Sequence, residues 1–264
     1  MNVSINTIEQ ESWKDSIIHR LDGRIKLILV LMIIFYSVYT TNFKALFFLE
    51  IYVIFLVIAS KISLKFFFKR ILLILPFGGA IALLQPFIKP GLVLFSLPLG
   101  LQITYEGVMF GALLLSRLMV SLSSIVLLSS VTPIDDIVRS MRRLKFPKIL
   151  TTLLSMTIRY LFLFFEELNN IRNAQKTRGF DIWNKKTSYL WRVKQVGNTI
   201  VMLFLKSFEK GESVYNSMLS RSYTGEPVSY NQESNVHTLD YVLLITTFLI
   251  LVFIELNKNY FMFF

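Results

Sequence analysis

Five stretches of this chain are apolar over most of the length of a membrane crossing, and they constrain the fold more than anything else in it. Residues 25–41 hold only Lys26, 45–60 only Glu50, 107–131 only Arg117 and 241–256 only Glu255, while 71–88 carry no charge. A helix needs about 20 apolar residues to traverse about 30 Å of hydrocarbon. The shorter runs borrow flanking residues, tilt, or meet a thinned bilayer. Segments 149–165 and 198–208 are also rich in Leu and Phe, so the expectation is about five crossings, give or take one or two. The fold class is an all-α integral membrane protein, because helices satisfy every backbone group within one segment.

Charge separates this chain from other apolar or basic classes. It is 54% hydrophobic with a net charge of +11 and a mean hydropathy of +0.57. An ordinary soluble domain is less apolar, and a nucleic-acid binder needs no such runs. The 264 residues include no cysteine, which excludes disulfides and thiolate metal sites. The first 24 residues are polar and of mixed charge, so no cleavable leader is expected. Basic residues cluster in alternate connections: Lys14, Arg20 and Arg24; then Lys61, Lys65, Lys69 and Arg70; then 16 of them in 132–240. The other connections hold only Lys44, Lys89 and Lys258. This bias places the amino terminus in the cytoplasm and the carboxyl terminus outside.

Two features inside the runs invite a transport reading. Pro76, Gly78 and Gly79 interrupt the third, with Pro86, Pro90, Gly91, Pro98 and Gly100 after it. A kinked helix with an external turn is the plain account, and a broken helix facing a path is the sharper one. Glu50 and Arg117 are costly in lipid and require partners or a wet interior. With no His or Asp inside a run, a helix–helix contact is favoured over an ion pathway.

The stretch TPIDDIVRSMRRLKFP (132–147) reads as an amphipathic helix. Thr132 suits the N-cap and Pro133 the first helical position. Asp135 and Asp136 lie at the start, and Arg139, Arg142, Arg143 and Lys145 toward the end, as the helix dipole favours. Its apolar stripe can lie on the inner leaflet or on a partner. Two longer helical regions follow, at about 149–178 and 195–221. Sliding one on the other by 43 residues sets Phe165-Glu166 on Phe208-Glu209, and Thr177-Arg178-Gly179-Phe180 on Ser220-Arg221-Ser222-Tyr223. An arginine in a last turn is ordinarily a partner for free carbonyls, and Gly179 an ordinary stop. Two such endings, each followed by an aromatic, also suit insertion into a groove: small neighbours permit close approach and the guanidinium offers a planar fork of donors.

The segment FDIWNKKTSYLWR (180–192) mixes aromatic and basic residues, and Trp183 and Trp191 suit the headgroup region. No phosphate-binding glycine loop occurs. His19 and His237 stand apart without a neighbouring ligand, so no metal site is expected, and no nucleophile–base set stands out.

These residues resemble the transmembrane T component of energy-coupling factor transporters, most closely its cobalt branch, the CbiQ family. The resemblance runs from HRLDGRIKL (19–27) through Arg117, SVTPIDDIVRSMRRLKFP (130–147), Arg159-Tyr160 and NAQKTRGF (173–180) to FEKGESVYNSMLSRSYTGE (208–226). The family's pair of Ala-Arg-Gly motifs corresponds to Thr177-Arg178-Gly179 and Ser220-Arg221-Ser222. Small hydroxyl residues replace the alanines, and Ser222 replaces the second glycine, which puts its backbone geometry in question.

The resemblance implies a membrane domain over 1–131, a cytoplasmic coupling-helix domain over 132–238 and a last transmembrane helix over 239–264. It implies that the two motifs each seat in one of two ATP-binding cassette ATPase subunits. Closure of those subunits on ATP would then move the coupling helices and, through them, a separate cobalt-binding membrane subunit. On this view the chain is a non-catalytic scaffold of the cell membrane with no cofactor or metal of its own and no nucleic-acid partner. A nickel or vitamin importer of the same design, a self-sufficient channel or secondary transporter, and last a membrane enzyme are the alternatives.

Overall fold

The structure is a computed structural model that describes residues 16, 18–19, 21–96, 102–180, 187–223 and 238–256. Lys14, Arg20, Pro98, Gly100, Trp183, His237 and Lys258 lie outside the described residues. In chain order the elements are α1 (Gly23–Tyr39), α2 (Phe43–Ala59), α3 (Leu64–Ile88), β1 (Val93–Ser96), β2 (Gln102–Thr104), α4 (Tyr105–Val131), α5 (Ile134–Arg143), α6 (Lys148–Thr177), α7 (Tyr189–Ser220) and α8 (Thr238–Leu256). They divide into two compact units, residues 1–140 with 233–264, and residues 141–232.

In the first unit α4 packs against α1, α2 and α3, and α8 joins α1 and α2. The core along these seams includes Ile33, Leu49, Val53, Val57 and Val120, all essentially inaccessible. The outward faces are as apolar as the core: Phe35 is 72% exposed, Phe77 80% and Leu256 74%. Water would not tolerate so much apolar surface, whereas hydrocarbon is its natural solvent. The five apolar runs fall on α1, α2, α3, α4 and α8. Both α1 and α2 have 17 residues, about 26 Å at 1.5 Å per residue, which is a little short of the hydrocarbon thickness. By length and composition α3, α4, α8 and also α6 suffice for a crossing.

Helix starts follow their capping chemistry. The side chains of Asp22, Asn42 and Thr104 accept hydrogen bonds from the backbone of Arg24, Lys44 and Gly107, opening α1, α2 and α4. Thr132 departs from expectation. It closes α4, and its buried hydroxyl has no hydrogen-bond partner among the described residues, while the carbonyl of Pro133 accepts from Asp136 and Ile137 to start α5. Pro76 and Pro86 sit inside α3, which continues through both. The glycines there serve close approach. A Cβ at Gly111 would stand 2.6 Å from the Ala82 carbonyl oxygen, and one at Gly107 2.7 Å from that of Gln85, so α3 and α4 touch backbone to backbone.

Several polar groups of the runs meet one another inside this unit, while the Thr40 hydroxyl and the second carboxylate oxygen of Glu50 are buried without a hydrogen-bond partner among the described residues. Arg117 donates through Nε and Nη2 to the carbonyl of Thr40, at 3.1 and 2.8 Å, and so closes the open end of α1. Glu50 accepts from the Ser123 hydroxyl at 2.8 Å. Tyr52 pairs with Thr247 and Tyr36 donates to Glu255, which ties α8 to α2 and α1. At the other end of α8, Asp240, fully buried, accepts from the backbone of Asp22 at 3.0 Å.

In the second unit α6 and α7 pair antiparallel. Glu167 binds Lys206, and the Gln175 amide donates to the Thr199 hydroxyl at 2.7 Å. Toward the start of α6 the pair opens into a cleft of about 660 Å³ between Met156, Tyr160 and Phe164 on one wall and Val214, Tyr215 and Met218 on the other.

Candidate functional site

Helices leave their last carbonyls without partners, and a residue in the left-handed region lets the chain turn back to satisfy them. Gly179 takes this conformation at φ +78° after α6. Its N–H donates to the Lys176 carbonyl at 2.9 Å, and that of Phe180 to Gln175 at 3.0 Å. The paired bonds form a Schellman ending, with Arg178 at its cap position (φ −85°, ψ 9°).

The second end is its counterpart 43 residues on. Ser222 stands at φ +58°. Its N–H donates to the Leu219 carbonyl at 2.9 Å, and that of Tyr223 to Met218 at 3.0 Å. Arg221 holds the cap position at φ −95° and ψ 16°. The question raised by serine in place of glycine is thus answered: the backbone turns the same way with a side chain present. A non-glycine residue in this region costs about 1–2 kcal/mol.

Thr177, Arg178, Gly179, Ser220, Arg221 and Ser222 are all exposed. Among the described residues neither Arg178 nor Arg221 places its guanidinium in a hydrogen bond or ion pair, so both forks are open to solvent. Thr177 and Ser220 return their hydroxyls to carbonyls of their own helices, those of Ala174 and Asn216, which leaves compact shoulders beside each arginine. The aromatics are half-buried. The Phe180 ring meets Trp191 edge-on at 5.5 Å, so it steadies the α6 ending against the first turn of α7 rather than projecting outward. Trp191 thereby gains a partner that the headgroup reading of 180–192 does not foresee.

Because α6 (30 residues) and α7 (32 residues) run antiparallel, their arginine ends lie at opposite ends of the pair. At 1.5 Å per residue that is one helix length, roughly 45 Å. One feature that sequence reasoning missed is a third ending of this type. After α5, Lys145 stands at φ +63°, and the N–H groups of Lys145 and Phe146 return to Arg142 and Met141. The signal was present as a basic residue followed by Phe and then Pro. Among the described residues no group of three His, Asp or Glu side chains could hold a metal ion.

Comparison with known proteins converges on one family. The family whose profile matches residues 14–232 is CbiQ, described as cobalt transport protein. An uncharacterized protein of Methanocaldococcus jannaschii, MJ1571, is 27% identical over 89% of this chain and 82% of its own length. The energy-coupling factor transporter transmembrane protein EcfT of Listeria innocua is 30% identical over 83% of each chain. A putative fused cobalt transport protein CbiMQ of Methanocorpusculum labreanum is 31% identical over 58% of this chain, which spans 24% of that longer protein. With the match covering most of its length, including both arginine ends, the chain belongs to the CbiQ family of cobalt transport proteins.

Proposed function

We propose that this chain is the transmembrane coupling subunit of an energy-coupling-factor-type cobalt importer, and that Arg178 and Arg221 are the two points at which ATPase subunits take hold. The observation that carries this is the identical hydrogen-bond pattern closing α6 and α7, with an exposed arginine at the same position of each. Two equal tips at opposite ends of an antiparallel pair suit two equal partners. Thr177, Gly179, Ser220 and Ser222 keep the approach clear, and the guanidinium offers its planar donors to carbonyls or a carboxylate in the partner's groove.

On this reading ATP hydrolysis belongs to the partner ATP-binding cassette subunits, and this chain carries no catalytic residue. Movement of the tips is passed along α6 and α7 toward the spans and a separate cobalt-binding membrane subunit. The amino terminus and the two arginine ends face the cytoplasm, as the basic-residue bias requires. Cobalt is favoured over nickel or a vitamin by the family's description and by the name of the fused relative. A self-sufficient channel is disfavoured by the spans themselves, where Arg117 is held on the end of α1 and Glu50 is bound through one carboxylate oxygen by Ser123.

The test is co-purification of the ATPase with Arg178→Glu, Arg221→Glu and the double variant, together with cobalt uptake. Truncating a desolvated docking arginine costs roughly 2–5 kcal/mol, so each charge reversal should release one ATPase and the pair should release both. Full assembly and uptake by the double variant would remove the docking role.

A further inference from the structure

The start of α3 carries a charge pattern that the transport reading uses only to set sidedness. Lys61, in the turn before the helix, and Lys65 and Lys69, one helical turn apart, are all exposed. None of the three side chains has a hydrogen-bond, ion-pair or ring partner among the described residues. The sequence from 51 to 105 contains no Asp or Glu, and the first turn of α3 has no acidic residue. Like charges at i and i+4 repel, so the chain holds this group together without compensation of its own.

The same helix face continues as apolar surface. Leu64 is 49% exposed, Phe68 60% and Leu72 68%, while Phe67 and Ile71, on the adjoining side, are buried in the core. Leu64, Phe68 and Leu72 follow i, i+4, i+8 spacing alongside Lys65 and Lys69, so a cationic stripe at the helix start lies beside an apolar stripe that climbs into the hydrocarbon. An amphiphile with an anionic head and a long tail is complementary to both stripes at once. An acidic protein surface matches only the first.

We propose that Lys61, Lys65 and Lys69, with Leu64, Phe68 and Leu72, form a binding surface for an anionic phospholipid, its phosphate on the lysines and one acyl chain along α3. The proposal needs only that the chain sits in a bilayer, so it stands or falls apart from the ATPase docking role. Each lysine near an anionic lipid surface contributes about a five-fold gain in binding.

The test uses the full chain in neutral detergent, titrated with dioleoylphosphatidylglycerol, dioleoylphosphatidylcholine or inorganic phosphate and read by native mass spectrometry and thermal stability. The wild type should retain phosphatidylglycerol in preference to phosphatidylcholine. Replacing Lys61, Lys65 and Lys69 with Gln should weaken phosphatidylglycerol binding about a hundred-fold. These side chains are exposed, so the variant's elution volume and helical content should be unchanged. Equal retention of the two lipids, full retention by the triple variant, or inorganic phosphate stabilising the protein as well as the lipid does would each overturn the proposal. So would a triple variant that binds lipid normally but loses its ATPase on co-purification, since the lysines would then serve a protein.

Discussion

A cap position shows most directly how one residue type trades against another here. At Gly179 an added Cβ meets nothing within 4 Å, so the cost of Gly179→Ala is conformational alone. With φ at +78°, that substitution should destabilise the α6 ending by about 1 kcal/mol. Ser222→Gly should relieve a penalty of similar size at the α7 ending. Thermal unfolding of each purified variant, with amide exchange at Phe180 and Tyr223, would read both. Exchange rates that move in the same direction for the two would show that the left-handed turn is not what fixes these ends. This part of the site was only half legible in the sequence. The arginines and their small neighbours stood out through the 43-residue offset, but serine gives no signal of a positive φ. Backbone hydrogen bonds, and not a side chain, decide that geometry.

Between helices, contact distance determines what each seam tolerates. At Gly111 the obstructing atom is a backbone oxygen of α3, whereas at Gly78 it is the flexible tip of Leu118, 2.4 Å from an added Cβ. Gly111→Val should therefore cost about 1–3 kcal/mol by overpacking, and Gly78→Ala clearly less, as measured by the fraction of monodisperse protein surviving a temperature step in detergent. In the second unit, Gln175→Ala removes the tie to Thr199 at the root of the first arginine end. A single hydrogen bond is worth about 0.5–1.5 kcal/mol, so exchange in the last turn of α6 should quicken while that in α7 stays nearly constant. Hydropathy made the five apolar helices readable, because lipid demands uninterrupted apolar length. It said nothing of the ties that hold α8, since the partners of Thr247 and Glu255, namely Tyr52 and Tyr36, lie about two hundred residues away in the chain. The Pro and Gly content of 76–79 also left open a broken helix, and tertiary packing resolved it as a continuous one.

As a whole the chain keeps its membrane chemistry and its exposed chemistry apart. Within the first unit Glu50 of α2 and Arg117 of α4 each bond inside that unit, and among the described residues the open guanidinium forks of Arg178 and Arg221 belong to the second. A protein organised this way should not conduct by itself. Reconstituted alone in liposomes it is expected to pass neither cobalt nor nickel above the lipid background, and flux appearing without added subunits would put the channel reading first. That separation was visible early as a contrast between apolar runs and the basic stretch 132–240. The antiparallel pairing of α6 and α7 was not, because nothing in either helix's pattern states which way its partner runs.

The serine at the second left-handed turn breaks the equivalence of the two ends. A handicap of about 1 kcal/mol corresponds to roughly a five-fold difference in how often an end frays. Where each end holds an ATPase, as proposed, the grip at Arg221 should therefore slacken before the grip at Arg178 under the same pull, giving an outwardly paired machine a preferred order of release.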